Sequence, residues 1–336
     1  MSDAFLSNLA AVILFGGVVL YATFGGADFG AGFWDLTAGG AEAGRGPRGL
    51  IDEAIGPVWE ANHVWLVFCL VVMWTAFSGA FAAIMTTLYL PLGLAALGIV
   101  LRGSGFAFRK ASVRTAEQRA GGALFAASSV ITPFFLGAVA GGIASGRVPT
   151  GGNGDPVSSW INPSSILGGV LSVLVCAYLA AVFLIAEARS RNMDDLEAWF
   201  RWRALRVGLV AGAVAIGGVF VLRADAHHLF ERLLGPGLPF VILSAVAGVA
   251  GLVLLRTGPP AVLRVLGTVA AVSVIAGWGV AQYPYVLGTH LTISAAAAPR
   301  PTLISVAVVT ALAAVLVIPS MGALYVLQQR GALQGS

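Results

Sequence analysis

The sequence predicts an all-α membrane protein: a polytopic bundle of about nine transmembrane helices, one integral-membrane domain over residues 1–336. Three observations carry that expectation. Of the 336 residues, 58% are hydrophobic and 10% charged, against roughly 45–50% and about 25% in an ordinary soluble domain. A soluble chain so poor in charge could not cover its surface, and the mean hydropathy of +0.90 agrees. The charges are also clustered, which leaves long charge-free runs. Those runs do not alternate apolar with polar residues and are too long for barrel strands.

The runs give the helices in order. No Asp, Glu, Lys or Arg occurs in 4–27, 61–101, 120–146, 156–186, 207–222, 233–255, 265–299 or 301–329. About 20 apolar residues cross a bilayer as helix. The run 61–101 would be roughly 61 Å long at about 1.5 Å per residue, which makes two crossings with a turn near Ser78-Gly79. Seven runs with one span each and one with two give nine. The shortest is 207–222; Trp199, Trp202, Arg206 and Arg223 flank it and can snorkel to complete it. The stretch 143–163, with Gly-Gly-Asn-Gly-Asp-Pro, reads as an exposed turn region.

Orientation follows from the arginines. Arg102, Arg109, Lys110, Arg114 and Arg119 follow the third span, and Arg189, Arg191, Arg201, Arg203 and Arg206 follow the fifth. The alternate loops hold one (Arg147), two (Arg223, Arg232) and one (Arg300). The rich side is expected to be cytoplasmic, with the N-terminus outside and the C-terminus, carrying Arg330, inside. The first residues lack the positive region of a signal peptide. The formal charge of +4 is spread along the chain, with no basic tract of the kind that binds nucleic acid. Cys69 and Cys176 lie in apolar runs and imply neither a disulfide nor a metal framework.

Three charges fall at the edges of spans: Asp28 at the end of the first, Glu60 at the start of the second and Arg102 at the end of the third. All three should lie toward the cytoplasmic surface. Ionisable groups at membrane depth are costly, so they pair or line an ion or proton path; the simpler reading is solvated charge at headgroup level. The glycines around Asp28 favour an enclosed polar site, because small residues let helices approach closely. His63 lies three residues after Glu60, on the same helical face. A di-iron bundle would need a second Glu-x-x-His, and Glu187, Glu197 and Glu231 are followed at that spacing by Ser190, Phe200 and Leu234. A bis-histidine haem would need two histidines at one depth, yet His227, His228 and His290 fall in outer loops while His63 lies near the inner face. No metal site or haem bound by this chain alone is therefore expected.

Gly-Ala-Asp28-Phe-Gly-Ala-Gly, Ile55-Gly-Pro-Val-Trp59-Glu60-Ala-Asn62-His63-Val-Trp65-Leu66 and Leu101-Arg102-Gly-Ser-Gly-Phe-Ala-Phe-Arg109 resemble subunit II of the cytochrome bd-type quinol oxidases. The resemblance implies a partner, the larger subunit I, which holds the haems (b and d) and oxidises quinol. The complex reduces O₂ to water and generates a proton-motive force in the bacterial cell membrane. This subunit would hold no catalytic residue. Its Asp28, Glu60, His63 and Arg102 would lie on a cytoplasmic proton intake path, with Trp59, Asn62, Trp65 and Arg109 in support. Some members have a second acid where this chain has Gly25, Asp where Glu60 stands and Gln where His63 stands, so the path here would rest more on Glu60 and His63. Subunit II of some members also holds a structural quinone. The competing classes are a secondary transporter, against which the charges cluster at one surface and no paired Gly/Pro-broken helices are found, and an assembly scaffold with no proton role.

Overall fold

The computed structural model describes residues 2–40, 42–55, 59–111 and 115–329, and leaves out the side chains of 55, 59–61, 106, 109–111, 115–120, 318, 321 and 324–329. The described chain is almost entirely helical. Helix α1 (Asp3–Leu20), capped by the Ser2 hydroxyl, runs through a π-turn (Tyr21–Gly25) into α2 (Gly26–Leu36), which makes one 34-residue helix. Then come α3 (Arg45–Ile55), α4 (Trp59–Ala76), α5 (Ser78–Thr87), α6 (Tyr89–Ala111) and α7 (Thr115–Ala144). The second half holds α8 (Pro163–Ser190), α9 (Asp194–Asp225), α10 (His227–Leu234), α11 (Leu238–Leu254) and α12 (Pro260–Gln282). A two-stranded antiparallel hairpin follows, β1 (Tyr285–Leu287) with β2 (Leu291–Thr292), then the one-turn α13 (Ile293–Ala296) and α14 (Arg300–Gln329).

Each charge-free run carries helix, although 265–299 also holds the hairpin, and the helix ends differ from the run ends. Among the described residues, six helices are long and apolar enough to cross a membrane, or up to eight if each bent pair counts as one span, and Tyr89–Gly105 is a shorter apolar helix; nine were expected. The run 61–101 turns close to the expected Ser78-Gly79. It breaks at Phe77, bends by 118° and spends ten residues on α5. Helices α4 and α6 recover their length by extending into the polar flanks. The run 207–222 is the middle of a 32-residue helix that starts at Asp194, so Arg201, Arg203 and Arg206 lie on a helix and not in a connection. Helix α3, with its mixed polar and apolar faces, was not read from the sequence.

Two apolar cores hold the bundle. The first joins α2, α8 and α9 through Trp34, Ala177, Ala181, Ile185 and Phe200. The second lies toward the N-terminal end and joins Leu6, Ala10, Phe77, Leu88, Leu287 and Leu303, so α5 and the hairpin form a cap over it. Small residues set the spacing in the first core. A methyl group on Gly30 would collide with the backbone carbonyl of Cys176, and one on Gly137 with the carbonyl of Gly168. Dispersion at such close contacts is a main driver of helix association in lipid, where no hydrophobic effect acts between helices.

The expected turn region is ordered. Asn162 caps α8, and Asp225 at the end of α9 accepts two bonds from Arg147 (2.5 and 3.0 Å) and one from the Ser164 hydroxyl (2.6 Å). The Asp155 carboxyl accepts from the backbone N–H groups of Ser158 and Val157, which holds it below the usual carboxylate range.

Candidate functional site

Helices α2, α6 and α7 meet around Arg102. Its Nη2 donates to Asp28 Oδ1 at 2.7 Å and to the Asp28 backbone carbonyl at 3.0 Å. Its Nη1 donates to the Ser129 hydroxyl, which donates in turn to the Phe125 carbonyl at 2.6 Å. The guanidinium lies between two rings, 5.0 Å from the centroid of Phe29 and 4.2 Å from that of Phe125. Both charged side chains are fully enclosed, with relative exposures of 1% and 2%. The reading of solvated headgroup charges is thereby excluded for this pair. Gly32 makes the enclosure possible, since a side chain there would occupy the space of the Ser129 hydroxyl and Arg102.

The helices also run on past the pair, beyond the span edges read from the sequence. Helix α2 continues eight residues past Asp28 and α6 nine past Arg102, which is about 12–14 Å of helix. Phe29, Trp34 and Leu36 extend the apolar first span beyond the acid, and Trp34 anchors this end by donating its indole N–H to the Ala177 carbonyl at 2.8 Å. Past it, the Asp35 carboxylate receives Arg48 Nε at 2.8 Å, and Arg48 Nη2 caps the Gly39 carbonyl at 2.6 Å, so α3 is pinned to the end of α2.

His63 belongs to the same region. Its ring centroid is 6.0 Å from that of Phe29 and 6.4 Å from that of Tyr21. Phe29 therefore neighbours both His63 and the Arg102 guanidinium. Asn62 is buried, and Trp65 packs edge-on against Phe68. The backbones of Trp59 and Glu60 form the first turn of α4, one turn before His63. The side chains of Trp59, Glu60 and Arg109 lie outside the described residues. Three buried polar atoms near the pair have no hydrogen-bond partner among the described residues: Asp28 Oδ2, Arg102 Nε and the Tyr21 hydroxyl. Such groups are expensive to bury unmatched. With the ion pair they make a polar locus where α2, α6 and α7 meet.

Sequence reasoning missed Ser129, Phe125, Tyr21 and the Asp35–Arg48 clasp. Ser and Phe carry no signal of their own in an apolar run. Tyr21 sits in the π-turn, a feature that is frequent at functional sites and has no motif here. The other histidines lie elsewhere: His227 pairs with Glu231 at 3.2 Å, and His228 packs against Tyr285 of the hairpin. Among the described residues no group of three His, Cys, Asp or Glu could hold a metal ion.

A buried Asp–Arg pair with a histidine beside it, near the arginine-rich ends of a helix bundle, is the arrangement implied by the motifs. The family model for cytochrome bd terminal oxidase subunit II matches residues 6–328. The chain belongs to that family. It is 29% identical over 235 residues to cytochrome bd ubiquinol oxidase subunit 2 of Bacillus subtilis (strain 168), an alignment covering 69% of this chain and 67% of that protein. Its fold is that of a chain in the bd oxidase from Geobacillus thermodenitrificans: TM-score 0.76 at 22% identity, over 99% of this chain and 100% of the other. The protein is thus subunit II of a membrane-embedded terminal oxidase, an oxidoreductase complex, and a multi-pass membrane protein. Family membership selects the oxidase reading over the transporter.

Proposed function

We propose that this subunit takes up protons from the arginine-rich, cytoplasmic side of a single nine-span membrane domain. It passes them to the oxygen-reducing site of a haem-bearing subunit I, which carries haems b and d and oxidises quinol. The chain itself carries no haem. A structural quinone remains a role for its lipid-facing surface, with no residue assigned.

Within the path, we assign two kinds of work. Asp28 and Arg102 form the fixed part. A guanidinium held by a carboxylate, a carbonyl, a hydroxyl and two rings has no room to swing, and it engages one oxygen of its carboxylate partner. Their charge sets the local potential. Glu60 and His63 form the titrating part, one helical turn apart on α4. Trp59, Asn62, Trp65 and Arg109 support them. The observation that carries this reading is the enclosed Asp28–Arg102 pair with His63 beside the same Phe29 ring.

Glu60→Gln keeps volume and hydrogen-bonding capacity but cannot titrate. The expected result is an assembled complex with normal haem content and oxygen uptake per haem lowered at least about tenfold, equivalent to about 1.4 kcal/mol on the limiting barrier. His63→Ala should slow it less, because water can occupy the ring's place. Wild-type turnover in an assembled Glu60→Gln complex removes Glu60 from the path, and loss of haem makes it structural, which is the scaffold outcome.

A further inference from the structure

Four arginines at the end of the bundle that holds Arg102 are paired with carboxylates. Arg48 meets Asp35, Arg191 meets Glu187 and Glu53, and Arg189 and Arg201 share the buried Glu197. Arg201 also donates to the carbonyls of Leu255 (2.6 Å) and Gly258 (2.8 Å). Two arginines on α9 differ. Among the described residues, neither Arg203 nor Arg206 has a carboxylate within salt-bridge distance.

Both are held by aromatic faces instead. Arg203 Cζ lies 3.6 Å from the Trp199 ring centroid and 5.9 Å from that of Trp34, and its one hydrogen bond is a long one, 3.4 Å from Nη2 to the Thr37 carbonyl. Its Nε is buried without a partner. Arg206 Cζ lies 4.8 Å from the Trp202 ring centroid. Residues three apart share a helix face, so two like charges stand side by side with most donors unused. This arrangement is costly without an anion. Stacking fixes each guanidinium and leaves its edge open.

Beyond Arg206 the exposed side of α9 continues into the membrane as an apolar stripe. Leu209, Ile216 and Phe220 follow Arg206 at helical spacing and are 57%, 68% and 68% exposed. From Arg206 to Phe220 the stripe is about 21 Å long, the length of an extended acyl chain. Trp202, 52% exposed, stands at its head, where indole rings anchor at the headgroup level.

We propose that Arg203 and Arg206, stacked on Trp199 and Trp202, bind the phosphate of an anionic phospholipid in the adjacent leaflet, with one acyl chain along Leu209, Ile216 and Phe220. Charge selects the headgroup, and the stripe distinguishes a lipid from free phosphate. The inference rests on membership of a membrane complex and is independent of the proton path.

The test uses the assembled oxidase in zwitterionic nanodiscs doped with phosphatidylglycerol carrying a photoactivatable diazirine on its chain. The same label on phosphatidylcholine is the comparison. The peptide spanning 206–220 should be labelled preferentially by phosphatidylglycerol. With interfacial electrostatics of the usual size, each arginine contributes about fivefold and the pair about 30-fold to that preference. Arg206→Gln, at an exposed position, should lower it about fivefold with haem content unchanged, and Arg203→Lys with Arg206→Lys should keep most of it. Equal labelling by the two lipids would overturn the proposal. So would no labelling by either, which would mean that protein covers the stripe, or full competition by inorganic phosphate, which would mean a soluble-anion site.

Discussion

At the residue scale the decisive contact is Arg102 with Asp28, and its energetics can be tested separately from its role. Removing one partner of an enclosed ion pair leaves the other charge uncompensated and costs about 3–5 kcal/mol, whereas replacing both by apolar groups of similar size is often neutral. Asp28→Asn should therefore lower the yield of assembled, haem-containing complex, and Arg102→Met should do the same. The double variant Asp28→Leu with Arg102→Met should recover assembly and thermal stability while oxygen uptake per haem stays depressed, since the fixed charges are gone. Recovery of both would mean that the pair only holds the helices together. Ser129→Ala is the milder case. It leaves Arg102 Nη1 without its hydroxyl acceptor, and a lost buried partner of this kind costs about 1–3 kcal/mol, visible as a lower unfolding temperature of the complex with most turnover kept. How much of this was legible in the sequence follows from residue type. Asp28, Arg102 and His63 were found because a charge or an imidazole in an apolar run stands out. Ser129, Phe29 and Phe125 were not, because a serine and two phenylalanines are ordinary there and only the packing of α7 against α6 and α2 aims them at the guanidinium. The end of the first helix was misplaced for the same reason: the charge-free run ended at Asp28 by definition, although the helix runs on to Leu36.

At the scale of elements, the small residues of α2 and α8 do more than the large ones. Gly30 is pressed against the Cys176 carbonyl, so helix α2, and with it Asp28, is seated at a distance only glycine permits. Gly30→Ala should push the helices apart and prevent stable assembly. Gly212 on α9 has open space around its missing Cβ, so Gly212→Ala should be neutral or stabilising by about 0.5–1 kcal/mol through helix propensity. Comparing the melting temperatures of the two complexes checks both. If Gly30→Ala is as stable as the parent, close seating of α2 on α8 is not what positions the acid. The charge gaps located the helices well, because lipid excludes charge. They could not show where helices begin and end, since α6 and α9 carry their arginines on helical turns beyond the apolar run. Nor could they reveal α3: a short amphipathic helix depends on tertiary contacts, here the Asp35–Arg48 clasp, whereas the break at Phe77 falls next to the turn that the length of the run implied.

At the scale of the whole molecule the question is which end faces the cytoplasm, because the direction of proton uptake depends on it. The arginines divide unequally between the two ends of the bundle. Arg48, Arg189, Arg191, Arg201, Arg203 and Arg206 lie beyond or beside the ends of α2, α8 and the start of α9, whereas the opposite end holds Arg147, Arg223, Arg232 and Arg300. At that opposite end Arg147 is paired with Asp225 and Arg300 with Asp3, while Arg232 is committed to the Ala281 carbonyl. Pairing does not enter the rule, which counts Lys and Arg in short loops and gives little weight to acids, so the asymmetry stands as counted. By that rule the N-terminus, the 145–162 segment and the hairpin are expected outside, and the end nearer the Asp28–Arg102 pair inside. Arg330, which also argues for an internal C-terminus, lies outside the described residues. An enzyme reporter active only in the cytoplasm should be active when fused after Ser336 and inactive when inserted at Gly151, a position with open space around it in the ordered outer segment. A reporter active only outside should give the reverse pattern. Activity of the cytoplasmic reporter at Gly151 would invert the molecule, and the buried pair would then open toward the outer surface. An intake path at that site would have to draw protons from the wrong side, so this one result would also remove the proton role assigned to Glu60 and His63.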